Sequence, residues 1–294
     1  MDCTRPHVVI TDTATEVGEA TILAALNSGF HVFAAFGAGG PVADMDHVDL
    51  TAIEIDDWTP EGFSAAADVV AEHVGEAGLD GLVSIADTVV AKPLEAMSAE
   101  ELLELYRGDV AMPLALTQSL LPLLRQAPGR IVYVGPIGRK ASVPFAGAMQ
   151  SSTAALAVLS SQLRRELAPW GINVGMVAPE SIHATAAERM QADASEVQGS
   201  LSDEHVELYG EAYQSAMGSV VDEDREDVSP GMVAYVVVES LTAPTAPTKS
   251  TKVTKPAAGG RLSGIGNLSK LPASLQQLAA RSMSGLPGVG SSGR

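Results

Sequence analysis

Residues 11–18 read Thr11-Asp12-Thr13-Ala14-Thr15-Glu16-Val17-Gly18, between the apolar run Val8-Val9-Ile10 and a helical run that continues to Ser28. A strand that enters a turn opening a helix is the start of a β-α-β nucleotide-binding unit. In such units the turn is glycine-rich, so that backbone N–H groups at the helix N-terminus can face a pyrophosphate. Here two of the three expected glycines are acids, Asp12 and Glu16, standing where an anionic cofactor would lie. Two like charges about 4 Å apart repel by roughly 1 kcal/mol in water and several times more in a partly dry cleft. The spacing therefore predicts a turn whose shape is kept and whose phosphate chemistry is removed.

Other chemistry is sparser. Glu180-Ser181-Ile182-His183 is the first place to look for a different reaction, with His183 at the cleft mouth, but no nucleophile with a partnering acid follows from the spacing. The six histidines (His7, His31, His47, His73, His183 and His205) show no spacing of the His-x-x-x-His kind, so no metal site is expected. The lone cysteine, Cys3, excludes an internal disulfide framework. The net charge of −18 is uneven: the chain up to Glu239 carries −25 and the remainder +7. An acidic body argues against nucleic acid or an anionic membrane as partner. No apolar run of about 18 residues and no signal-peptide pattern occurs, so a cytoplasmic protein is expected.

The elements that must position these residues follow in order. Strands are expected at residues 7–11, 30–36, 50–55, 81–85, 130–134 and 172–177, with an edge strand near 249–254. The first helix runs over 15–28. Gly37, Gly39, Gly40 and Pro41 leave little room for a second crossover helix. Thr59-Pro60 starts a helix that continues to Gly78, with Thr59 as cap and Pro60 in the first position. Ser98–Glu101 is a capping box opening a long helix to Arg125, kinked at Pro113. Further helices are expected over 147–168 and 230–241. Between them, residues 180–228 form an acidic insertion placed to cover a ligand site. A short helix over 272–281 and a flexible tail over 282–294 close the chain. Alternating strands and helices with apolar strands imply an α/β protein with a doubly wound parallel sheet.

This order, with Leu116–Leu124 (LTQSLLPLL), Gly129–Val134 (GRIVYV) and Leu163–Val174 (LRRELAPWGINV), resembles the short-chain dehydrogenase/reductase family over roughly residues 7 to 281. The end, Leu262–Arg281, resembles the steroid and retinol dehydrogenase subgroup. The resemblance implies a single-domain Rossmann fold over residues 1–281. The family's cofactor turn, T-G-x-x-x-G-x-G, keeps here only Thr11 and Gly18. Phe36 and Gly37 at the end of strand two offer neither an acid nor an arginine for the adenosine ribose, while Asp56 falls where the family often meets the adenine. The family's N-N-A-G ends here on Asp87. Its catalytic asparagine, serine, tyrosine and lysine fall on Asp109, Pro136, Met149 and Thr153, and the P-G after strand six reads Pro179-Glu180.

In the family the tyrosine donates a proton, the lysine lowers its pKa, the serine orients the carbonyl and the asparagine holds a relay water. Met149 has no such proton, Thr153 no charge, and Pro136 neither hydroxyl nor N–H. The neighbouring Tyr106, Tyr133, Lys140, Ser151 and Ser152 are the displaced candidates; Tyr133 is expected to pack against a helix and Lys140 to be solvated. Asp12, Glu16, Asp87, Asp109 and Glu180 together suggest a cleft that repels dinucleotides. The leading expectation is a catalytically degenerate binding or scaffold subunit with no cofactor. It would assemble with itself or a related subunit through the helices near 98–125 and 147–168, which form the family's interface. The alternative is an active oxidoreductase using NAD or NADP in a rebuilt site.

Overall fold

The computed structural model describes residues 5–37, 47–55, 58–86, 88–136, 144–179, 184–223, 229–243 and 251–253. Seven strands pair in parallel: β1 (His7–Ile10), β2 (His31–Gly37), β3 (Leu50–Ile55), β4 (Gly81–Ile85), β5 (Arg130–Val134), β6 (Asn173–Pro179) and β7 (Thr251–Val253). Their order is β3-β2-β1-β4-β5-β6-β7. The winding direction changes between β1 and β4, and in such sheets ligands bind beyond the carboxyl ends of the strands at that switch. The helices are α1 (Glu16–Asn27), α2 (Pro60–Val74), α3 (Ala99–Tyr106), α4 (Met112–Gln126), α5 (Gly147–Leu167), α6 (Ala184–Gly199), α7 (Asp203–Glu223) and α8 (Pro230–Thr242). This is the doubly wound α/β fold that the alternation of elements predicts.

Side chains alternate across a strand, so each strand feeds two cores. Val8, Ile10, Val32, Ala34, Val83 and Val132 pack with Ile22 and Ala25 of α1 and Val233 and Val237 of α8. Val9, Phe33, Leu82, Ile131 and Tyr133 pack on the other face with Phe63 and Val70 of α2, Leu116 and Leu120 of α4 and Leu156 of α5. Strands buried on both faces explain the near-continuous apolar runs in the sequence.

The helix starts follow local capping. Thr59 accepts the Gly62 N–H at 3.2 Å with Pro60 in the first position. Ser98 and Glu101 form the reciprocal capping box, at 3.1 and 2.7 Å. The stretch expected as one kinked helix is instead divided: Arg107–Ala111 forms a wider π-helical turn between α3 and α4. Pro113 has no N–H for the Asp109 carbonyl four residues back, and its ring crowds that carbonyl. The wider turn resolves the conflict, with the Met112 N–H reaching the Arg107 carbonyl. Residues 38–46, the tail of the chain from 254, Asp56, Asp87, Lys140, Glu180 and His183 lie outside the described residues.

Candidate active site

The turn between β1 and α1 is built by its backbone. Thr11 is buried, its N–H donating to Val83 O and its Oγ1 accepting the Ile85 N–H, each at 3.0 Å, so it ties β1 to β4. Asp12 adopts φ 55°, a left-handed conformation that favours glycine and that Asp tolerates better than most residues. Its carbonyl accepts the Thr15 hydroxyl at 3.0 Å. A Cβ on Gly18 would lie 2.1 Å from the Asp12 carbonyl oxygen, so only glycine lets the helix approach the turn this closely. The Thr15 hydroxyl in turn accepts the Gly18 N–H at 3.1 Å, which satisfies one of the free donors at the start of α1. Glu16 and Glu19 occupy the first turn, where carboxylates match the positive end of the helix dipole.

Further along β2, the indole of Trp58 lies over Gly37, where a Cβ would come within 2.9 Å of its Nε1. Trp58 is held edge-on by Phe63, with ring centroids 5.5 Å apart. Sequence reasoning missed this residue; the glycine at the end of β2, where a side chain would read the ribose, was the available signal.

The other wall is α5 with the turns that face it. Met149 is fully buried in an apolar cluster with Ala91, Ala146, Ala187, Met190, Tyr213 and Met217. α6 and α7, which fall within the stretch expected as an acidic insertion, supply most of those neighbours and expose Glu188, Asp193, Glu207 and Glu211 on their outer side. The Tyr213 hydroxyl donates to the Ala91 carbonyl at 2.9 Å. Burial pushes that phenol above its ordinary range, with Asp193 adding to the shift. The Phe145 ring stands 5.3 Å from that of Tyr213, and its backbone is held at φ 61°, strained for a bulky residue. Thr153 is buried, donates its hydroxyl to the Met149 carbonyl at 2.9 Å, and sets its methyl where a Cβ on Gly135 would be 3.2 Å away. Pro136 is buried at the end of β5.

Asp109, on the π-helical turn, is 2% exposed, and its Oδ2 accepts the Ser152 hydroxyl at 2.7 Å. Ser152 was named only as a possible stand-in; here it is the partner that holds a buried carboxylate against α5. Ser151 donates to Ala148 O on its own helix. Tyr133 points away into the core, its hydroxyl 2.6 Å from Thr117 on α4, and burial pushes it up to about 12. That is the packing role expected for it. Lys92 is also nearly buried, its Nζ 2.7 Å from Glu101, and its N–H donates to Phe145 O at 2.9 Å. The Lys92 hydrogen bond, helped by Ser98, holds the Glu101 carboxyl below its ordinary value. Among the described residues, no group of three or more His, Cys, Asp or Glu is arranged to hold a metal ion, and no helix is long and apolar enough to cross a membrane.

The structure thus brings Thr11, Asp12, Glu16 and Gly18 together at the sheet's switch point and Asp109, Met149 and Thr153 together along α5. A doubly wound parallel sheet with a β1–α1 turn at the switch and a long helix lining the same end is the Rossmann arrangement, a class of fold in which nucleotides bind at the switch point. The chain belongs to the short chain dehydrogenase family, whose profile matches residues 6–195. It is 32% identical to human retinol dehydrogenase 16 over 167 residues, 56% of this chain and 52% of that protein. It is 30% identical over 224 residues to the uncharacterized oxidoreductase YbbO of Escherichia coli K12, covering 75% of this chain and 80% of that one. The chain spans about half the length of the retinol dehydrogenases it matches. In fold it is similar to a short-chain dehydrogenase from Streptomyces avermitilis, with a TM-score of 0.64 at 21% identity, covering 86% of this chain and 89% of that one. The NADP complex of RhlG from Pseudomonas aeruginosa superposes with a TM-score of 0.55 at 24% identity, covering 72% and 89%.

Proposed function

We propose that this chain is a member of the family, close to its retinol and steroid dehydrogenases, that has given up hydride transfer and acts as a binding or scaffold subunit. The observation that carries the reading is Met149. At the position where the family resemblance places the proton donor stands a thioether with no acidic hydrogen, sealed under α6 and α7. The flanking positions agree with it: Thr153 hydrogen-bonds to its own helix and the Asp109 carboxylate is held by Ser152.

The residues fit a dinucleotide poorly. Asp12 and Glu16 set carboxylates at the turn, Thr15 already caps α1, and the Trp58 indole covers Gly37. The resemblance also implies assembly through the helices α3, α4 and α5. Leu103 on α3 and Val158 on α5 support this with exposed apolar side chains, 68% and 56% accessible. Either a second copy or a related, active subunit would cover them. A homo-oligomer or hetero-oligomer is therefore the form in which the protein works.

The second reading, an active NAD(P)-dependent oxidoreductase, is favoured by one feature: the backbone of the β1–α1 turn retains the close approach that Gly18 permits. Titration with NADH and NADPH, followed by a cofactor-consumption assay on ketones and aldehydes, separates the two. The expected outcome is no low-micromolar binding and no turnover, in the native chain or after Met149→Tyr with Thr153→Lys. Positioning of the cofactor is a large share of the rate, and that pair of changes leaves the acidic turn in place. Turnover by the two-residue variant would mean that the cleft is open to dinucleotides and overturn the account of the acidic turn, and low-micromolar binding by the native chain would set the oxidoreductase reading above the scaffold one. Light scattering at tens of micromolar checks the assembly, with more than a monomer expected.

A further inference from the structure

Far from the carboxyl ends of the strands, three histidines that are distant in sequence meet. His7 opens β1, His31 opens β2, and His73 lies in the last turn of α2. The rings of His31 and His73 are 4.5 Å apart, those of His7 and His31 5.7 Å, and those of His7 and His73 6.1 Å. Phe33 packs against all three, at 5.0 Å from His31 and 5.2 Å from His73. Among the described residues the Nδ1 of His7 is buried with no hydrogen-bond partner. His31 Nε2 lies 2.9 Å from the Thr51 hydroxyl on β3. The cluster therefore joins the amino-terminal ends of β1, β2 and β3 to the C-terminal end of α2.

We propose that this cluster is an acid-triggered release for α2: protonating His7 and His31 beside His73 loosens the helix from the sheet. Two of the three cannot become charged in place without strong opposition. Burial, then His73 and His7, then Arg5 bring His31 down to about 4. Burial also lowers His7; Asp80, whose Oδ2 accepts the His7 N–H at 2.8 Å, raises it only in part, and His73 lowers it further. Among the described residues at this end, Asp49 is paired to Arg5 and close to His47, and Glu72 and Glu76 near His73 are exposed. Thr51 from β3 and Phe33 from β2 offer no negative charge.

The sign follows from linkage. Above the ordinary histidine value near 6.5 the imidazoles of His7 and His31 are neutral whether α2 is docked or released. As the pH falls from there towards 4, the released state takes up protons that the docked state refuses, so docking weakens across that window. The consequence reaches the other end of α2. Thr59 caps its start, and the preceding Trp58 covers Gly37 at the carboxyl end of β2. Releasing α2 would uncover the adenosine side of the cleft, so acid at one edge of the sheet would open the opposite edge.

The test uses the full chain carrying Trp170→Phe, which leaves Trp58 as the one indole of the two in the sequence. Between pH 7.5 and pH 4.5 the Trp58 emission should shift to the red. The melting temperature should fall by about 5 °C more than in the same protein with His31→Gln, given a few degrees per kcal/mol for a domain of this size. His31→Gln keeps a hydrogen-bonding group for Thr51 and removes the titration, so it should flatten both responses. An identical pH response in the two proteins would overturn the proposal. If His31→Gln does not fold, NMR titration of the unsubstituted protein decides: a His31 imidazole that takes up its proton below 6.5 in step with the Trp58 signal supports the proposal, and one that titrates near 6.5, or that stays neutral while the Trp58 signal moves, overturns it.

Discussion

On the proposed reading, the β1–α1 turn keeps the backbone of a phosphate-binding loop while its side chains carry the wrong charge for one; along α5 the backbone is an ordinary helix and the space in front of it is packed with apolar side chains. The first region is altered by electrostatics and the second by volume. Thr11 and Gly18, which match the family's turn, are the residues the fold itself requires: one ties β1 to β4, and the other lets α1 approach within contact of the Asp12 carbonyl. The residues that differ, Asp12, Glu16, Met149 and Thr153, stand where the family resemblance places cofactor and substrate contacts. If hydride transfer has been given up as proposed, selection for folding alone would leave this pattern, while the family profile still matches residues 6–195.

The comparison can be broken most forcefully at Gly18. Gly18→Ala places a methyl into the Asp12 carbonyl, 2.1 Å away, and should cost roughly 3 kcal/mol, read as a lower midpoint in urea unfolding. A loss below about 0.5 kcal/mol would mean that the turn adapts and its shape is not a requirement of the fold. Next in size is Met149→Ala. It empties part of the cluster under α6 and α7 and should cost about 2–4 kcal/mol, with faster hydrogen exchange in α6 and α7 than in the sheet. Unchanged exchange there would mean that the docking of α6 and α7 does not depend on Met149.

The smallest effect sharpens the electrostatic half. Asp12→Gly should leave stability within about 1 kcal/mol, because relief of the left-handed backbone offsets the greater freedom of glycine in the unfolded chain. It should nonetheless raise affinity for a dinucleotide, measured by calorimetry at moderate salt. If affinity stays unmeasurable with Asp12→Gly, Glu16→Gly and Asp87→Gly together, then the Trp58 cover, rather than the charge of these three acids, closes the cleft.

The sequence by itself determined the order of the elements, the caps at Thr59 and Ser98 and the substituted positions along the chain. Those signals are local, because apolar periodicity and capping residues act within a few positions of one another. Pro113 was legible as a disturbance, but the form of the disturbance was decided by the need to accommodate a missing donor inside a packed helix, which produced the turn at Arg107–Ala111. The same turn carries Asp109 inward to Ser152, 43 residues further along the chain. Acidity alone could suggest where Asp109 falls, not what would hold its carboxylate.

The histidines make the contrast sharper. Each read singly was an unremarkable imidazole without ligand spacing, and their meeting depends on β1 pairing with β2 while the last turn of α2 lies across both. Trp58 over Gly37 has the same origin. Sequence spacing records which groups are neighbours along the chain; only the sheet order and helix docking decide which are neighbours in space, because burial and mutual repulsion act through distance, not through sequence separation.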